Sequence, residues 1–274
     1  MENIKMNMNL CANNILKATV LSASIAFAST ASAAGTVHWD YSEPEKWHTL
    51  SPAFSSCEAT PSSSQSPIDI TNTTTIKKLR DLEADFDSYP LNVENNGHTI
   101  QVNYAPGSTT EINGEKYYLL QFHFHTTSEH AVDGQLSPME IHFVHMNKKG
   151  ELAVIGVLVK ASHDGTSNDA LATIISNAPE HAGEKHALHN DNGHVALDAE
   201  SLLPNDDIEN YYHYSGSLTT PPCSEGVKWY VSSKHIHASH EQIEAFEHIM
   251  NHGQPNNRPL QDLNAHRTIV EAKD

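Results

Sequence analysis

Residues 121–125 run Gln-Phe-His-Phe-His and residues 140–144 run Glu-Ile-His-Phe-Val, and these two stretches decide the fold. Side chains alternate between the two faces of a β-strand. His123 and His125 therefore share one face of the first predicted strand, while phenylalanines lie on the other. If the strand that carries His142 is a neighbour, three imidazoles converge. The pattern predicts a β-sheet with one apolar face and one histidine-bearing face.

The three histidines have the composition of an open metal site. Three neutral imidazole nitrogens can hold Zn²⁺ and leave a fourth position for water, whereas structural zinc sites usually close with four protein ligands. Gln121 and Glu140 each lie two residues before a histidine, on the same predicted face. Each can accept the other ring N–H of its histidine and fix the ring direction. Because the chain has 20 histidines, the alternative is a set of core histidines without a metal.

The N-terminus has the order of a secretory signal peptide. Lys5 and Lys17 supply positive charge, Ala18 to Ala28 is an apolar run, and Ala31 to Ala33 supplies small residues for cleavage. The run is shorter than the roughly 20 apolar residues that cross a bilayer. No later segment is apolar enough either, so we expect no membrane span. The expected location is the periplasm if the host has an outer membrane, and otherwise the protein is secreted.

Cysteine usage agrees with export. Cys11 would leave with the signal peptide, residues 1–33. Cys57 and Cys223 remain, and an even pair in an oxidising compartment predicts a disulfide. Two buried free thiols are the alternative. The remaining residues 34–274 have a length that one all-β domain can fill.

Composition excludes one class of partner. The chain has 16 lysines and arginines against 34 aspartates and glutamates, a formal charge of −18. Nucleic-acid binding needs clustered cationic side chains, so we expect no nucleic-acid partner.

The rest of the chain predicts a mostly β (α+β) domain with short peripheral helices. Short apolar runs alternate with turn residues, and Asn96-Gly97 and Asn113-Gly114 are hairpin signals. Leu152 to Val159 is almost continuously apolar, which predicts a strand buried on both faces. The expected helices cover 169–176 and 241–251, and an irregular arm covers 39–67.

In their order and spacing, these motifs resemble the α-class carbonic anhydrases, bacterial exported members in particular. The segments that carry the resemblance are His38 to Tyr41, Gln65 to Ile70, Asn95 to His98, Gln121 to His125, Ser128 to His130, Glu140 to His145, Tyr214 to Pro222 and Asn256 to Pro259. The resemblance implies a central twisted, largely antiparallel sheet with zinc at the floor of a conical cleft. It implies reversible hydration of carbon dioxide to bicarbonate by a zinc-bound hydroxide, with weak ester hydrolysis as a side activity. It also suggests a homodimer.

The same resemblance assigns the reaction centre. His123, His125 and His142 match the zinc ligands of the family. Thr219 matches a hydroxyl that donates to Glu129 and turns its lone pairs toward the nucleophile. For Thr219, the alternative is that it only precedes a Pro-Pro turn.

Two further groups of residues match the family. His98 matches the proton shuttle, because histidine titrates near neutral pH, and Asn96 and Tyr41 would order the water path. A residue that merely follows an Asn-Gly turn is the alternative for His98. Plain core packing is the alternative for most of the residues that match the carbon dioxide pocket, which are Val144, Val154, Leu218, Thr219, Thr220 and Trp229.

The segment from His163 to His194 is dense in histidine, and this density has no match in the family core. It can be a solvated loop, a local buffer or an adventitious metal site. It motivates a zinc-buffer hypothesis, which predicts several zinc ions per chain and little activity. A non-catalytic binding module is the other competing class, although the ligand histidines, Glu129 and Thr219 are all present.

Overall fold

Strands dominate the described part of the chain, as the alternating runs predict. The structure is a computed structural model and describes residues 37–77, 82–104, 106–190, 193–204, 208–264 and 267–273. The predicted signal peptide and Cys11 lie outside these residues. In chain order the strands are β1 (Asp69–Ile70), β2 (Thr74–Lys77), β3 (Glu83–Asp85), β4 (Tyr89–Pro90), β5 (Asn92–Asn95), β6 (Ile100–Asn103), β7 (Thr109–Ile112), β8 (Glu115–His125), β9 (Ala131–Val132), β10 (Gln135–Leu136), β11 (Met139–Asn147), β12 (Leu152–Ala161), β13 (Lys185–Ala187), β14 (His189–Asn190), β15 (Gly193–His194), β16 (Ala196–Leu197), β17 (Tyr211–Ser217), β18 (Glu225–Ser232), β19 (Ile236–Ala238) and β20 (Val270–Lys273).

One large sheet organises most of these strands. Its order is β13-β5-β6-β8-β11-β12-β18-β17-β20-β2, with β19 beside β12, β7 beside β8, and β3 beside β7. The pairs in this sheet are antiparallel except β12 with β18, β12 with β19, and β2 with β20, which are parallel. The predicted mostly β fold with a largely antiparallel central sheet is therefore confirmed.

The two strands that carry the histidines lie side by side at the centre of this sheet. β8 and β11 are antiparallel, and His142 lies opposite His123. Phe122, Phe124 and Phe143 point to the other face and are completely buried. Burial of a side chain of this size contributes about 1.5–3 kcal/mol. The aromatic core face thereby holds the histidine face in register.

The turn between β7 and β8 and the two longest helices form close to where the sequence predicts them. Asn113 and Gly114 both have positive φ, 54° and 83°, as the two-residue turn between β7 and β8 requires. The helices are α1 (Trp47–Leu50), α2 (Asp169–Ile175) and α3 (His240–Ile249). α3 begins at the Ser239 cap and ends before Met250, whose backbone is extended, so it is shifted slightly from the expected 241–251. No described helix is long and apolar enough to cross a membrane.

The N-terminal arm is more regular than expected. α1 and two short 3-10 helices, Pro44–Lys46 and Pro52–Cys57, replace the irregular arm predicted over 39–67. Each 3-10 helix starts at a proline, whose fixed φ suits the first helical position. The predicted disulfide between Cys57 and Cys223 is confirmed, with an S–S distance of 2.07 Å.

Candidate metal centre

Three imidazoles converge at the centre of the sheet. His123, His125 and His142 each offer one ring nitrogen, and these nitrogens lie within 4.8 Å of one another. The ring centroids are 4.6–5.3 Å apart. His125 and His142 are only 1% exposed. The arrangement excludes water from most of the His125 and His142 rings, leaves His123 partly exposed, and brings three ring nitrogens together.

The outer nitrogens of the two β8 histidines are held by acceptors. His123 Nδ1–H donates to Gln121 Oε1 at 2.9 Å. His125 Nδ1–H donates to the backbone carbonyl of Asn256 at 2.8 Å. These bonds fix both rings and leave Nε2 to face the centre. His125 Nε2 is buried and has no hydrogen-bond partner among the described residues. Because such an atom is costly in a folded protein, it fits a bound metal ion.

Glu140 orients the third ring and several neighbours. Its Oε1 lies 2.9 Å from His142 Nε2, which leaves His142 Nδ1 to face the centre. Oε1 also accepts from His130 Nδ1–H at 2.8 Å, and Oε2 accepts the backbone N–H groups of Glu129 and His130. The Tyr214 hydroxyl then donates to His130 Nε2 at 2.7 Å. Glu140 is thus a fixed acceptor at the centre of a buried network.

The charges of this network follow from burial and contact. Burial by itself would raise the pKa of Glu140, but His130 and His142 outweigh it and hold the pKa well below its usual range. Burial lowers the pKa of His123 and of His125. Both rings are therefore neutral at neutral pH, and each can offer a nitrogen lone pair to a metal ion. Burial would also lower the pKa of His142, yet Glu140 raises it above its usual value.

A second group of potential ligands overlaps the first. His130, Glu140 and His142 also bring one ligand atom each within 4.8 Å of one another. Both nitrogens of His130 are already engaged, with Glu140 and with Tyr214. The chemistry of the donor set therefore favours His123, His125 and His142 as the metal-holding group.

Glu129 lies directly beside the three rings and is completely buried. Its Oε1 accepts the backbone N–H of Arg258 at 2.8 Å. Its Oε2 lies 3.6 Å from His125 Nε2 and 3.8 Å from His142 Nδ1, and has no hydrogen-bond partner among the described residues. Oε2 is therefore the atom still open to the expected hydrogen bond from Thr219, which is itself 5% exposed.

Thr219 and Thr220 lie on a turn that the disulfide anchors. The carbonyl of Thr220 accepts the backbone N–H of Cys223 at 2.8 Å, and the Gln65 side chain donates to the carbonyl of Cys223 at 3.2 Å. Cys223 also forms the disulfide with Cys57. The turn is thus tied to the N-terminal arm by a covalent bond and a buried hydrogen bond.

The residues expected to form the apolar pocket lie side by side on three strands. Val144 of β11 is opposite Val154 of β12, which is opposite Trp229 of β18. The Trp229 ring lies 4.8 Å from the His142 ring. Val154 and Trp229 are buried, and Val144 and Leu218 pack against them while partly exposed. An apolar wall therefore borders the histidine centre.

His98 lies on the turn after β5, against the N-terminal arm. Its ring stacks on Trp39 with centroids 3.7 Å apart and an interplanar angle of 7°, and Tyr41 lies 6.4 Å away. Asn96 Oδ1 accepts the backbone N–H groups of His98 and Thr99, both at 2.9 Å. In this structure Asn96 therefore shapes the turn that carries His98.

The environment of His98 is half buried and borders open space. It lines a cavity of about 670 Å³ with His38, Asp40 and Tyr41. Burial and the neighbouring His38 lower the pKa of His98, while Asp40 partly offsets them. A lowered pKa favours release of a proton from this ring at neutral pH.

The histidine-dense segment is largely exposed where it is described. His163, His181 and His186 are exposed, and the side chains of residues 189 and 194 lie outside the described set. His186 Nδ1–H donates to the carbonyl of Asn177 at 2.9 Å. The groups of three potential ligands found in the described part of the chain both lie in the core, away from this segment in sequence.

Comparison with known proteins places the chain in a family. The model described as eukaryotic-type carbonic anhydrase matches residues 42–273. A carbonic anhydrase of Pectobacterium carotovorum is 42% identical over 88% of this chain and 93% of the relative. One from Neisseria gonorrhoeae is 40% identical over 93% of this chain and 96% of the relative. The α-carbonic anhydrase of Thermovibrio ammonificans, solved with the inhibitor sulfanilamide, is 41% identical with a TM-score of 0.77, covering 86% of this chain and all of that one.

The chain therefore belongs to the eukaryotic-type, or α, carbonic anhydrase family. Members of the family are lyases that act on carbon dioxide, and they are metalloenzymes. The three converging histidines could hold such a metal.

The sequence patterns described above predict no role for four residues that contact the central histidines or their neighbours. The Asn256 carbonyl, His130, Tyr214 and the Arg258 amide all take part in the hydrogen bonds of this centre. All four residues lie in segments that carry the family resemblance. A backbone carbonyl or amide leaves no trace in residue identity, so only the resemblance of those segments could have pointed to them.

Proposed function

We propose that this protein hydrates carbon dioxide to bicarbonate and a proton, reversibly, with Zn²⁺ held by His123, His125 and His142. The observation that carries the proposal is the set of three converging rings, two of them buried, each with an acceptor 2.8–2.9 Å from its outer nitrogen and with one nitrogen per ring within 4.8 Å of the others. Imidazole suits zinc, and three ligands with an open position are typical of catalytic zinc. Family membership supports the reaction.

Zn²⁺ at this position would act as a Lewis acid that lets a coordinated water lose its proton near neutral pH, the property for which carbonic anhydrases are the type example. The protein supplies everything else. Gln121, Glu140 and the Asn256 carbonyl hold the rings rigidly, so the three inner nitrogens need little rearrangement on binding.

Thr219 and Glu129 would orient the nucleophile. The Arg258 amide holds one oxygen of Glu129 and leaves the other free. An ionised carboxylate can only accept, so in a hydrogen bond between the two the Thr219 hydroxyl would be the donor and would direct its own lone pairs toward the reaction centre. Only a group that carries a proton can then bind next to Thr219.

The hydroxyl of Thr219 can be tested by a matched pair of variants. Thr219→Val keeps the shape and removes the hydroxyl, whereas Thr219→Ser keeps the hydroxyl. We expect Thr219→Val to lower kcat/KM about 10²-fold, as loss of one preorganised polar group does in other enzymes, and Thr219→Ser to stay near the parent. An equal loss of kcat/KM in both variants, with zinc content unchanged, would show that the Thr219 hydroxyl does not orient the nucleophile.

The apolar wall would hold carbon dioxide. Val144, Val154 and Trp229 present hydrocarbon next to the His142 ring. Carbon dioxide has no net dipole and needs a weakly binding, dry surface, because hydrogen-bonding groups there would retain water.

His98 would carry the released proton to solvent. Its ring stacks on Trp39 and borders the cavity of about 670 Å³, so a buffer molecule can approach it. Histidine exchanges protons readily near neutral pH. Tyr41 lines the same cavity and can order water there.

We also infer that the mature protein works outside the cytoplasm, in the periplasm or the medium. The Cys57–Cys223 disulfide supports this location, because such bonds persist in oxidising compartments. Weak hydrolysis of activated esters is expected as a side activity of the same centre.

The direct test is stopped-flow carbon dioxide hydration by the mature protein before and after chelation, with zinc added back. We expect fast hydration with one zinc ion per chain, loss of activity on chelation and recovery with zinc. Several bound zinc ions with little activity would favour the zinc-buffer hypothesis. One bound zinc without activity would favour a binding module.

A further inference from the structure

A second histidine pair lies on the outer surface beside β19. His235 directly precedes this strand and His237 lies within it. Ile236 and Ala238 point into the core, at 9% and 0% exposure. Because side chains alternate along a strand, His235 and His237 share the opposite, outward face. His237 is exposed and His235 is partly buried.

The ring geometry of this pair reproduces that of the metal centre. The His235 and His237 centroids are 5.2 Å apart with an interplanar angle of 73°. The His123 and His125 centroids are 5.1 Å apart with an angle of 69°. Both pairs have one residue between the histidines. The rings of the surface pair are therefore spaced and inclined like two of the three rings of the centre.

We propose that His235 and His237 form a second metal site, which takes a divalent transition-metal ion of the Cu²⁺ or Zn²⁺ class. Two imidazole nitrogens come from the chain and water completes the coordination. Neither ring has a hydrogen-bond partner within the described part of the chain, so the nitrogens are available. Imidazole is a common ligand for both metals, and Cu²⁺ binds most tightly of the first-row dications.

The surroundings leave space for coordinated water. His235 lines a cavity of about 340 Å³ that also contains Asp133, Lys160 and Lys234. Asp133 brings the one carboxylate among these lining side chains. His237 does not line this cavity, so water that completes the coordination has room and polar neighbours on the His235 side of the pair.

Lys160 limits the strength of the site. It lies opposite His237 in the parallel pairing of β12 and β19. Burial first, and then the charges of Lys160 and His237, lower the pKa of His235. This keeps the His235 ring free of a proton and ready to bind. The same lysine charge repels a dication, so its removal must strengthen metal binding.

The test uses the zinc-loaded mature enzyme, so that the central site is occupied. Cu²⁺ is titrated by calorimetry and by its paramagnetic broadening of backbone amide signals in ¹⁵N-labelled protein. We expect broadening centred on residues 235–238. His237→Gln should weaken this binding at least about tenfold, because one of two nitrogen ligands is lost. Lys160→Gln should tighten it about two- to fivefold, as expected for a nearby surface charge.

The control is His163→Gln, which removes one exposed histidine elsewhere and should leave binding at residues 235–238 unchanged. Carbon dioxide hydration should be unchanged in all three variants, which shows that they are folded. Identical titrations for His237→Gln and the parent would overturn the proposal. Broadening centred elsewhere, for example on residues 181–186, would overturn it as well.

Discussion

The histidine pair on β8 and the pair beside β19 have nearly the same ring geometry in very different surroundings. His123 and His125 are joined by a third ring, and acceptors hold their outer nitrogens. His235 and His237 form a group of only two rings. Lys160 lies opposite His237, and His235 borders a cavity of about 340 Å³. In both places the one-residue spacing on a strand brings two imidazole rings to about 5 Å from each other. The neighbours then decide how tightly a metal binds and whether it can do chemistry.

The largest expected effect comes from removing a ligand of the central site. His125→Ala leaves two rings, the number present at the surface pair. If the proposed zinc mechanism holds, this variant should bind no zinc at the centre and should hydrate carbon dioxide at least about 10³-fold more slowly, since the nucleophile would depend on the metal. Metal analysis and stopped-flow hydration measure both. Retained zinc with near-normal activity would show that three rings are not needed.

His145 is a buried histidine that lies outside both groups of potential metal ligands. Burial lowers the pKa of His145 to about 4, partly offset by hydrogen bonds to the carbonyls of Phe143 and Ala153. In the unfolded chain a histidine titrates near 6.5. Between pH 6.5 and 4 the unfolded state therefore binds a proton that the folded state does not. The contribution of His145 to the free energy of unfolding should be complete above pH 6.5 and should fall by about 3 kcal/mol as the pH drops to 4.

Urea unfolding of the chelated protein at several pH values measures this loss. His145→Gln removes the titrating group, so its stability should be lower at pH 7.5 but should depend less on pH. The difference between the two proteins isolates His145 from the other histidines. Parallel pH profiles would show that another group controls the loss.

Removal of a hydrogen-bond acceptor beside the central rings should have the next largest effect, on zinc affinity. Glu140→Gln keeps the shape but removes the charge that holds His142. We expect zinc affinity to fall about 10–100-fold, the usual effect of losing such a partner. Glu244→Gln, which changes an exposed carboxylate on α3, is the control. Competition with a zinc-binding dye gives both affinities, and equal values would mean that Glu140 acts only in folding.

The smallest expected effect is the loss of turnover when His98 is replaced, because His98 is not one of the expected metal ligands. His98→Ala should lower turnover about tenfold in dilute buffer, because proton transfer then limits the rate. Imidazole in solution should restore it, and kcat/KM should stay unchanged. Turnover that is independent of buffer concentration in both proteins would rule out this relay.

The sequence predicts much of the central site because strand alternation is a local rule. The faces of β8 and β11 follow directly from residue identity, and so do the expected acceptors Gln121 and Glu140, each two residues before a ring. The contact of His125 with Asn256 does not follow, because it joins residues 131 positions apart through a backbone carbonyl. It depends on the path of the C-terminal segment.

Two features of the fold likewise could not be predicted from local sequence patterns. The parallel pairing of β12 with β18 is set by long connections, which leave no local pattern. The helical turns of the arm form where prolines start them and where Trp47 becomes buried. Such burial is a property of the whole domain. Local periodicity therefore predicts which residues share a face, and tertiary packing decides which faces meet.

The most direct test of this account is an anomalous difference map of the crystallised mature protein at the zinc absorption edge. We expect one strong peak bonded to His123 Nε2, His125 Nε2 and His142 Nδ1, with Glu140 and the Asn256 carbonyl on the outer nitrogens. A peak among His130, Glu140 and His142, or no peak at the three inner nitrogens, would contradict it.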